Sequence, residues 1–232
     1  MRKNIIFLLI VFTCFSCSVS RNKKQIEDKP KMYEYINNCR VITKENLTEI
    51  NGTKALIEQA GFQNNDTVLS IGSETGGREF LISLFTDNIL FYLEDIDTFK
   101  ISQSRIQNVY LPYYSEMKGS PISNKFITVK GTQTYVGIPD NSVNKILIYN
   151  AYHHFKDDIA MVKECKRVLR DDGKLIIGEH VTKRNKRSRA FCTAGGRYKT
   201  EENFVNDIVN IGFVCDTVYN SGNEWRLFVF SE

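Results

Sequence analysis

The stretch Asp66-Thr67-Val68-Leu69-Ser70-Ile71-Gly72-Ser73-Glu74-Thr75-Gly76-Gly77 decides how the rest of the chain is read. Strand-prone residues run into a glycine-bearing turn, and a helix-like stretch, Arg78-Glu79-Phe80-Leu81-Ile82-Ser83-Leu84-Phe85, follows at once. A strand that ends in Gly-x-x-x-Gly-Gly and opens a helix gathers backbone N–H groups and the positive helix end at one spot, where a nucleotide or carboxylate can lie against bare main chain. Glycine turns between strands and helices are common, so the turn alone serves as a tight connection as readily as a cofactor site. An acid about twenty positions on, closing a second strand, completes the pattern. It falls within Asn88-Ile89-Leu90-Phe91-Tyr92-Leu93-Glu94-Asp95-Ile96-Asp97.

Downstream, strands and helices alternate. A helix is expected over 98–109, then a loop through Leu111-Pro112-Tyr113-Tyr114 and a third strand, Lys125-Phe126-Ile127-Thr128-Val129. The turn Ile138-Pro139-Asp140-Asn141-Ser142 sets up a fourth strand at 143–149. Ile159, Val162, Cys165 and Leu169 recur at helical spacing over 157–169, a turn at Arg170-Asp171-Asp172-Gly173 follows, and Lys174-Leu175-Ile176-Ile177-Gly178-Glu179 makes a fifth strand. A helix over 200–211 and two strands, 213–218 and 224–230, close the chain as a hairpin around Tyr219-Asn220-Ser221-Gly222-Asn223. Short links between alternating elements predict an α/β, doubly wound, seven-stranded, mostly parallel sheet whose C-terminal strand is antiparallel. Ligands bind such sheets outside the strands' C-terminal ends, where Gly72, Asp95, the loop after Val129 and 150–154 would converge.

Among the 232 residues, 42% are hydrophobic, enough for one α/β domain with short extensions. A net charge of +4 is too slight to imply a nucleic-acid partner. The run Lys183-Arg184-Asn185-Lys186-Arg187-Ser188-Arg189 is locally basic and reads as a solvated loop or a contact surface for an acidic substrate, a phosphate or anionic lipid. At the other end, a basic start precedes the apolar run Ile5-Ile6-Phe7-Leu8-Leu9-Ile10-Val11-Phe12, too short to span a bilayer. With Ser16-Cys17 just beyond it, this resembles a bacterial lipoprotein signal peptide, which implies lipidation of Cys17 and a membrane-anchored place in the cell envelope, periplasmic or surface-facing. The expected organisation is a signal peptide at 1–17, a tether at 18–30 and the domain at 31–232, with helices at 33–36 and 53–60, the second stopped by Gly61, that could cover the strand ends. Cys39, Cys165, Cys192 and Cys215 are widely and irregularly spaced, which argues against a zinc site; Cys165 and Cys215 read as small buried hydrophobes.

From Asp66 onward the chain resembles the class I S-adenosylmethionine-dependent methyltransferases of the small-molecule type, whose fold is Rossmann-like. Val68 to Gly77 looks like the first cofactor motif. Ile138 to Ile146 followed by Tyr152-His153-His154-Phe155 looks like the fourth-strand region, and Glu164-Cys165-Lys166-Arg167-Val168-Leu169-Arg170-Asp171-Asp172-Gly173-Lys174-Leu175 looks like the helix and turn before strand five. The resemblance implies S-adenosylmethionine as cofactor, bound by Gly72, Ser73, Glu74, Gly76, Glu94, Asp95, Thr132 and Asn150. Gly72 and Gly76 would lie against its methionine end, and Asp95 or else Glu94 would accept hydrogen bonds from both ribose hydroxyls. His153 and His154 are candidates for a catalytic base, with Asn150, Tyr152, Tyr113, Tyr114, Glu179 and His180 as possible acceptor contacts. Ser70 stands where the family usually has an acid, Glu74 where a glycine is usual, Thr132 where an acid often faces the adenine, and Asn144 for the common aspartate of strand four. Glu74 either restores the carboxylate missing at Ser70 or fills space that the cofactor needs. The expected function is methyl transfer to a small-molecule or lipid-linked acceptor; the alternative is an exported non-catalytic binding or scaffold protein on the same fold.

Overall fold

The strand-prone residues after Asp66 form β1 (Thr67–Ile71), which lies mid-sheet between β2 (Leu90–Asp95) and β4 (Val143–Tyr149). The structure is a computed structural model that describes residues 44–232 apart from 98, 100, 189–194, 221 and 223. The expected signal peptide, Cys17, the tether, the helix at 33–36, Cys39 and Cys192 lie outside the described residues. By its contacts the chain divides into Met1–Leu47 and Thr48–Glu232, and the sheet belongs to the second. Among the described residues no helix is long and apolar enough to cross a membrane.

The sheet has seven strands in the order β3-β2-β1-β4-β5-β9-β8, with β3 spanning Lys125–Lys130, β5 Leu169–His180, β8 Val214–Asn220 and β9 Trp225–Ser231. β9 runs antiparallel to both of its neighbours, and the pairings among β1 to β5 are all parallel. Chain order reverses between β1 and β4, so the crevice at a switch point opens between the end of β1, at Gly72, and the end of β4, at Asn150.

Helices cover both faces, which is why the central strands are near-continuous apolar runs. On one face Leu69, Ile146, Ile148 and Phe228 pack with Val162 and Cys165 of α4 (Asp158–Val168) and Phe204 and Ile208 of α5 (Glu201–Val209). On the other, Val68, Phe91 and Leu147 meet Leu56 and Ala60 of α1 (Lys44–Ala60), Phe80 and Ile82 of α2 (Gly77–Ile82), and Ile106. Each such side chain withdrawn from water contributes about 1.5–3 kcal/mol. Asp157 and Thr200 cap α4 and α5 by accepting from the Ala160 and Asn203 N–H groups. Gly61 ends α1 in the left-handed region at φ 63°, as its place after a helical run predicts.

Three local expectations are corrected. The loop expected at Leu111–Tyr114 is helical: α3 occupies 103–118 as Gln103–Arg105, a π segment Ile106–Tyr110, and Leu111–Lys118. Pro112 lies in the first turn of the last piece, where its missing N–H costs little, and the wider π turn before it spares the preceding carbonyl from its ring. The turn expected at 170–173 is a bulge within β5, since pairing with β4 jumps from Val143↔Leu169 to Lys145↔Lys174. Part of the basic run forms a strand: β6 (Lys186–Ser188) pairs with β7 (Gly196–Tyr198) in a separate two-stranded ribbon between β5 and α5.

Candidate functional site

The turn after β1 is locked to the end of β2. Gly72 adopts φ 68° and Gly76 φ 73°, and a side chain at Gly72 would put its Cβ 2.7 Å from that of Ala151. Bare main chain is therefore required where the β1 turn meets the loop after β4. Ser73 donates to the Glu94 carbonyl from both its N–H (2.9 Å) and its hydroxyl (3.1 Å). The Glu74 N–H donates to Asp95 Oδ2 at 2.9 Å, and the Asp97 N–H to Asp95 Oδ1 at 2.8 Å. Both Asp95 oxygens are thus oriented by backbone, and each keeps acceptor capacity for a further donor. Glu74 holds a left-handed φ of 52° with its residue exposed.

Glu94 turns the other way. It is 2% exposed, accepts from the Gly72 N–H at 3.3 Å, and fills the space a side chain at Gly131 would take. Its Oε1 has no hydrogen-bond partner among the described residues. Burial pushes its carboxyl up to about 7; the Gly72 bond pulls it down and the Asp95 charge pushes it further up. Asp95, not Glu94, is the half-exposed acid at the strand end.

The carboxylate nearest Ser70 is one that sequence reading missed. Glu79, on α2 and 2% exposed, accepts from the Ser70 hydroxyl at 2.6 Å, and its second oxygen has no partner among the described residues. Burial raises its carboxyl from the ordinary range, more than the Ser70 bond lowers it. Glu79, rather than Glu74, is the carboxyl bonded to Ser70, while Glu74 lies exposed on the turn. No local pattern marks Glu79 as this partner, because its burial comes from the packing of α2 over Ser70.

The loop carrying Thr132 is fastened to α4. Glu164 Oε1 accepts from the Val136 N–H at 3.0 Å and from Arg167 at 2.6 Å, while Arg167 also donates to the Ile138 carbonyl and pairs with Asp140. Burial opposes ionisation of Glu164, but the bonds from Arg167 and Val136 outweigh it and hold its carboxyl low. Thr132 is exposed, its hydroxyl accepting from the Thr134 N–H.

Across the crevice, Asn150 takes φ 54°, donates its N–H to the Gly178 carbonyl and accepts from the Trp225 indole at 3.1 Å. Three residues on, His153 Nδ1 lies 2.7 Å from Glu179 Oε2. The same oxygen accepts from the His153 N–H at 3.1 Å, and Oε1 accepts from the His180 N–H at 2.7 Å. Glu179 is 1% exposed and its two oxygens face N–H donors, so the His153 ring turns Nδ1 toward it. Nε2 has no partner among the described residues. Tyr198 of β7 stacks on the imidazole at 4.7 Å between centroids, and a Cβ on Gly196 would fall 2.3 Å from His153 Cδ2. His154 is exposed, its ring 4.1 Å from that of His153. Burial lowers the pKa of His180, though the Glu179 charge opposes this.

The structure thus brings Gly72, Ser73, Glu74, Glu94 and Asp95 into one bonded unit, touching the loop that leads to His153. Tyr114 does not join it: in α3 it stacks on Phe80 at 5.1 Å, in the core layer on the α2 side, and Tyr113 packs edge-on against it.

Residues 109–177 match the methyltransferase domain family. A sterol 24-C-methyltransferase of Pneumocystis carinii is 32% identical over 114 residues, which is 49% of this chain and 28% of that protein's length. Among solved structures, an S-adenosylmethionine-dependent methyltransferase from Aquifex aeolicus superposes with a TM-score of 0.57 at 17% identity, covering 88% of this chain and 97% of that one. The [4+2]-cyclase SpnF gives 0.58 at 13% identity, covering 79% and 81%, and the mitomycin 7-O-methyltransferase MmcR 0.56 at 15%, covering 90% and 60%. These likenesses show the Rossmann-like methyltransferase fold. Together with the family match they imply S-adenosylmethionine as the cofactor.

Proposed function

We propose that this chain, with its methyltransferase fold and its family match over residues 109–177, transfers a methyl group from S-adenosylmethionine to a small-molecule or lipid-linked acceptor. The observation that carries the reading is the bare turn at Gly72, packed on Ala151 and tied through Glu74 to the oriented carboxylate of Asp95. That cradle fits the cofactor through Asp95, whose two backbone-oriented oxygens suit paired hydroxyls, beside a turn whose glycines let it pack closely on Ala151 and Leu93. Gly72, Ser73 and Gly76 would hold its methionine end and Asp95 its ribose, with Thr132 and Asn150 at the rim.

When bound, the cofactor supplies an electrophilic methyl on a sulfonium leaving group. The chain's own work is alignment and proton removal. His153 is tied to Glu179 and its Nε2 is itself buried, so the exposed His154 beside it would take the acceptor's proton as methyl transfer proceeds. The fold alone does not decide the reaction, as the cyclase among its structural neighbours illustrates.

Calorimetry with S-adenosylmethionine and its demethylated product tests the reading. Binding by the wild type, weakened about tenfold or more by Asp95→Ala, is the expected result. Absence of heat with either ligand would overturn it in favour of a non-catalytic scaffold. His154→Ala should leave that binding intact while slowing turnover about 10²–10⁴-fold. On the sequence expectation of lipidation at Cys17, we also propose attachment to a cell-envelope membrane; Cys17→Ala should then release the chain into the soluble fraction.

A further inference from the structure

Arg78 is held differently from the other covered cations of the molecule. It is half-buried, its Nη1 donates to the Thr53 hydroxyl of α1 at 3.2 Å, and its guanidinium carbon lies 4.4 Å from the centre of the Tyr149 ring. Neither neighbour is an anion, and Arg78 makes no ion pair with any described residue. Even Glu79, next to it in sequence, bonds inward to Ser70. Comparably covered cations elsewhere are matched: Lys145 with Asp66, Arg167 with Glu164, Lys199 with Asp207 and Arg226 with Glu201. A guanidinium drawn out of water loses hydration that stacking on a ring replaces only in part.

Its place is at the crevice. Arg78 follows Gly76 and Gly77 directly at the start of α2, and Tyr149 is the last residue of β4. Asn150 and Ala151 come next, and Ala151 is packed against Gly72. The guanidinium therefore stands where β1 and β4 part, on the side of the sheet that α1 and α2 cover. The ring under it is fixed in turn. Trp225 lies 5.5 Å from Tyr149 between centroids and donates to Asn150, and a Cβ at Gly178 would come within 2.7 Å of Trp225 and 3.0 Å of Tyr149. Thr53, 0% exposed, holds the guanidinium from another side. That bond engages one N–H, and the rest of the fork has no acceptor among the described residues.

We propose that Arg78 binds the carboxylate at the amino-acid end of the cofactor. The methyltransferase reading, on which this assignment rests, lays that end against Gly72, Ser73 and Gly76, beside the residue whose guanidinium lacks an anion. A planar fork meets a planar carboxylate through two parallel N–H···O bonds, which an ammonium group does not reproduce. The stack on Tyr149 and the bond to Thr53 set the plane of the fork before the ligand arrives, so little side-chain freedom remains to be lost on binding. An acid on the acceptor would meet the same chemistry, and a test with the cofactor product alone separates the two.

Calorimetry on the full chain compares the demethylated cofactor product with its carboxyl methyl ester, which keeps the nucleoside, the thioether and the ammonium but loses the anion. The wild type should bind the acid about tenfold or more tightly than the ester, and Arg78→Gln should bring the two within about twofold by weakening the acid alone. Arg78→Lys, which keeps the charge without the fork, should fall between. Unchanged ester binding shows that each variant is folded. Failure of the wild type to bind either compound would remove the methyltransferase reading. Binding of both, with an acid preference that persists in Arg78→Gln, would overturn the assignment of Arg78 alone and leave its guanidinium to an acid of the acceptor. A wild-type ratio near one would overturn it without any variant.

Discussion

Each half of the crevice ends in a buried glutamate, yet the two are served differently. On the β4–β5 side, Glu179 accepts from three N–H groups, one of them the imidazole it orients. On the β1–β2 side, Glu94 has one N–H at 3.3 Å and an oxygen with no described partner, and its carboxyl is pushed up to about 7. Partner supply, rather than depth, separates them: both are 2% exposed or less. A fully bonded carboxylate can be a fixed instrument, whereas an under-bonded one becomes sensitive to pH.

The largest effect expected from this contrast is at Glu179. Glu179→Ala leaves the His153 and His180 donors buried without their acceptor and should cost about 3–5 kcal/mol in urea unfolding. A cost under about 1 kcal/mol would mean the pair is not the tie described. Next comes the pH response of Glu94. Its folded value lies above the ordinary 4.5, so between 4.5 and about 7 the folded chain keeps a proton that the unfolded chain has released. Stability therefore falls as pH rises through that window, by up to about 3 kcal/mol from this group. Glu94→Gln should flatten the decline when urea midpoints are compared at pH 5 and pH 8; an unchanged slope would assign it elsewhere. Glu164→Gln, which loosens the Thr132 loop from α4, should cost about 2 kcal/mol in the same assay and weaken cofactor binding. The smallest effects calibrate the two sides: Ser102→Ala and Asp157→Ala, at the caps of α3 and α4, should each cost about 1 kcal/mol in thermal unfolding.

The same division governs what could be read from the sequence. β1, β4 and α4 were legible because each is specified by its own residues: apolar runs bounded by turn signals, or side chains at helical spacing. The Gly72 turn was legible for the same reason, since a left-handed φ leaves its mark as a glycine. The partners were not. Glu79 reads as a surface helix residue until the fold lays α2 over Ser70, and the Glu179–His153 bond joins positions 26 apart. Leu111–Tyr114 reads as a loop because Pro112 signals a break, and only the π segment before it lets the helix continue. β6 is a strand by virtue of its pairing with β7, and no local pattern announces it.

Gly196 carries a last consequence. Its missing side chain is all that separates the ribbon's backbone from the imidazole of His153, so a single methyl there is a wedge driven between ribbon and ring. Gly196→Ala would keep the sheet and the Gly72–Asp95 unit while turning the His153 ring aside from Glu179, a local change made by one carbon atom.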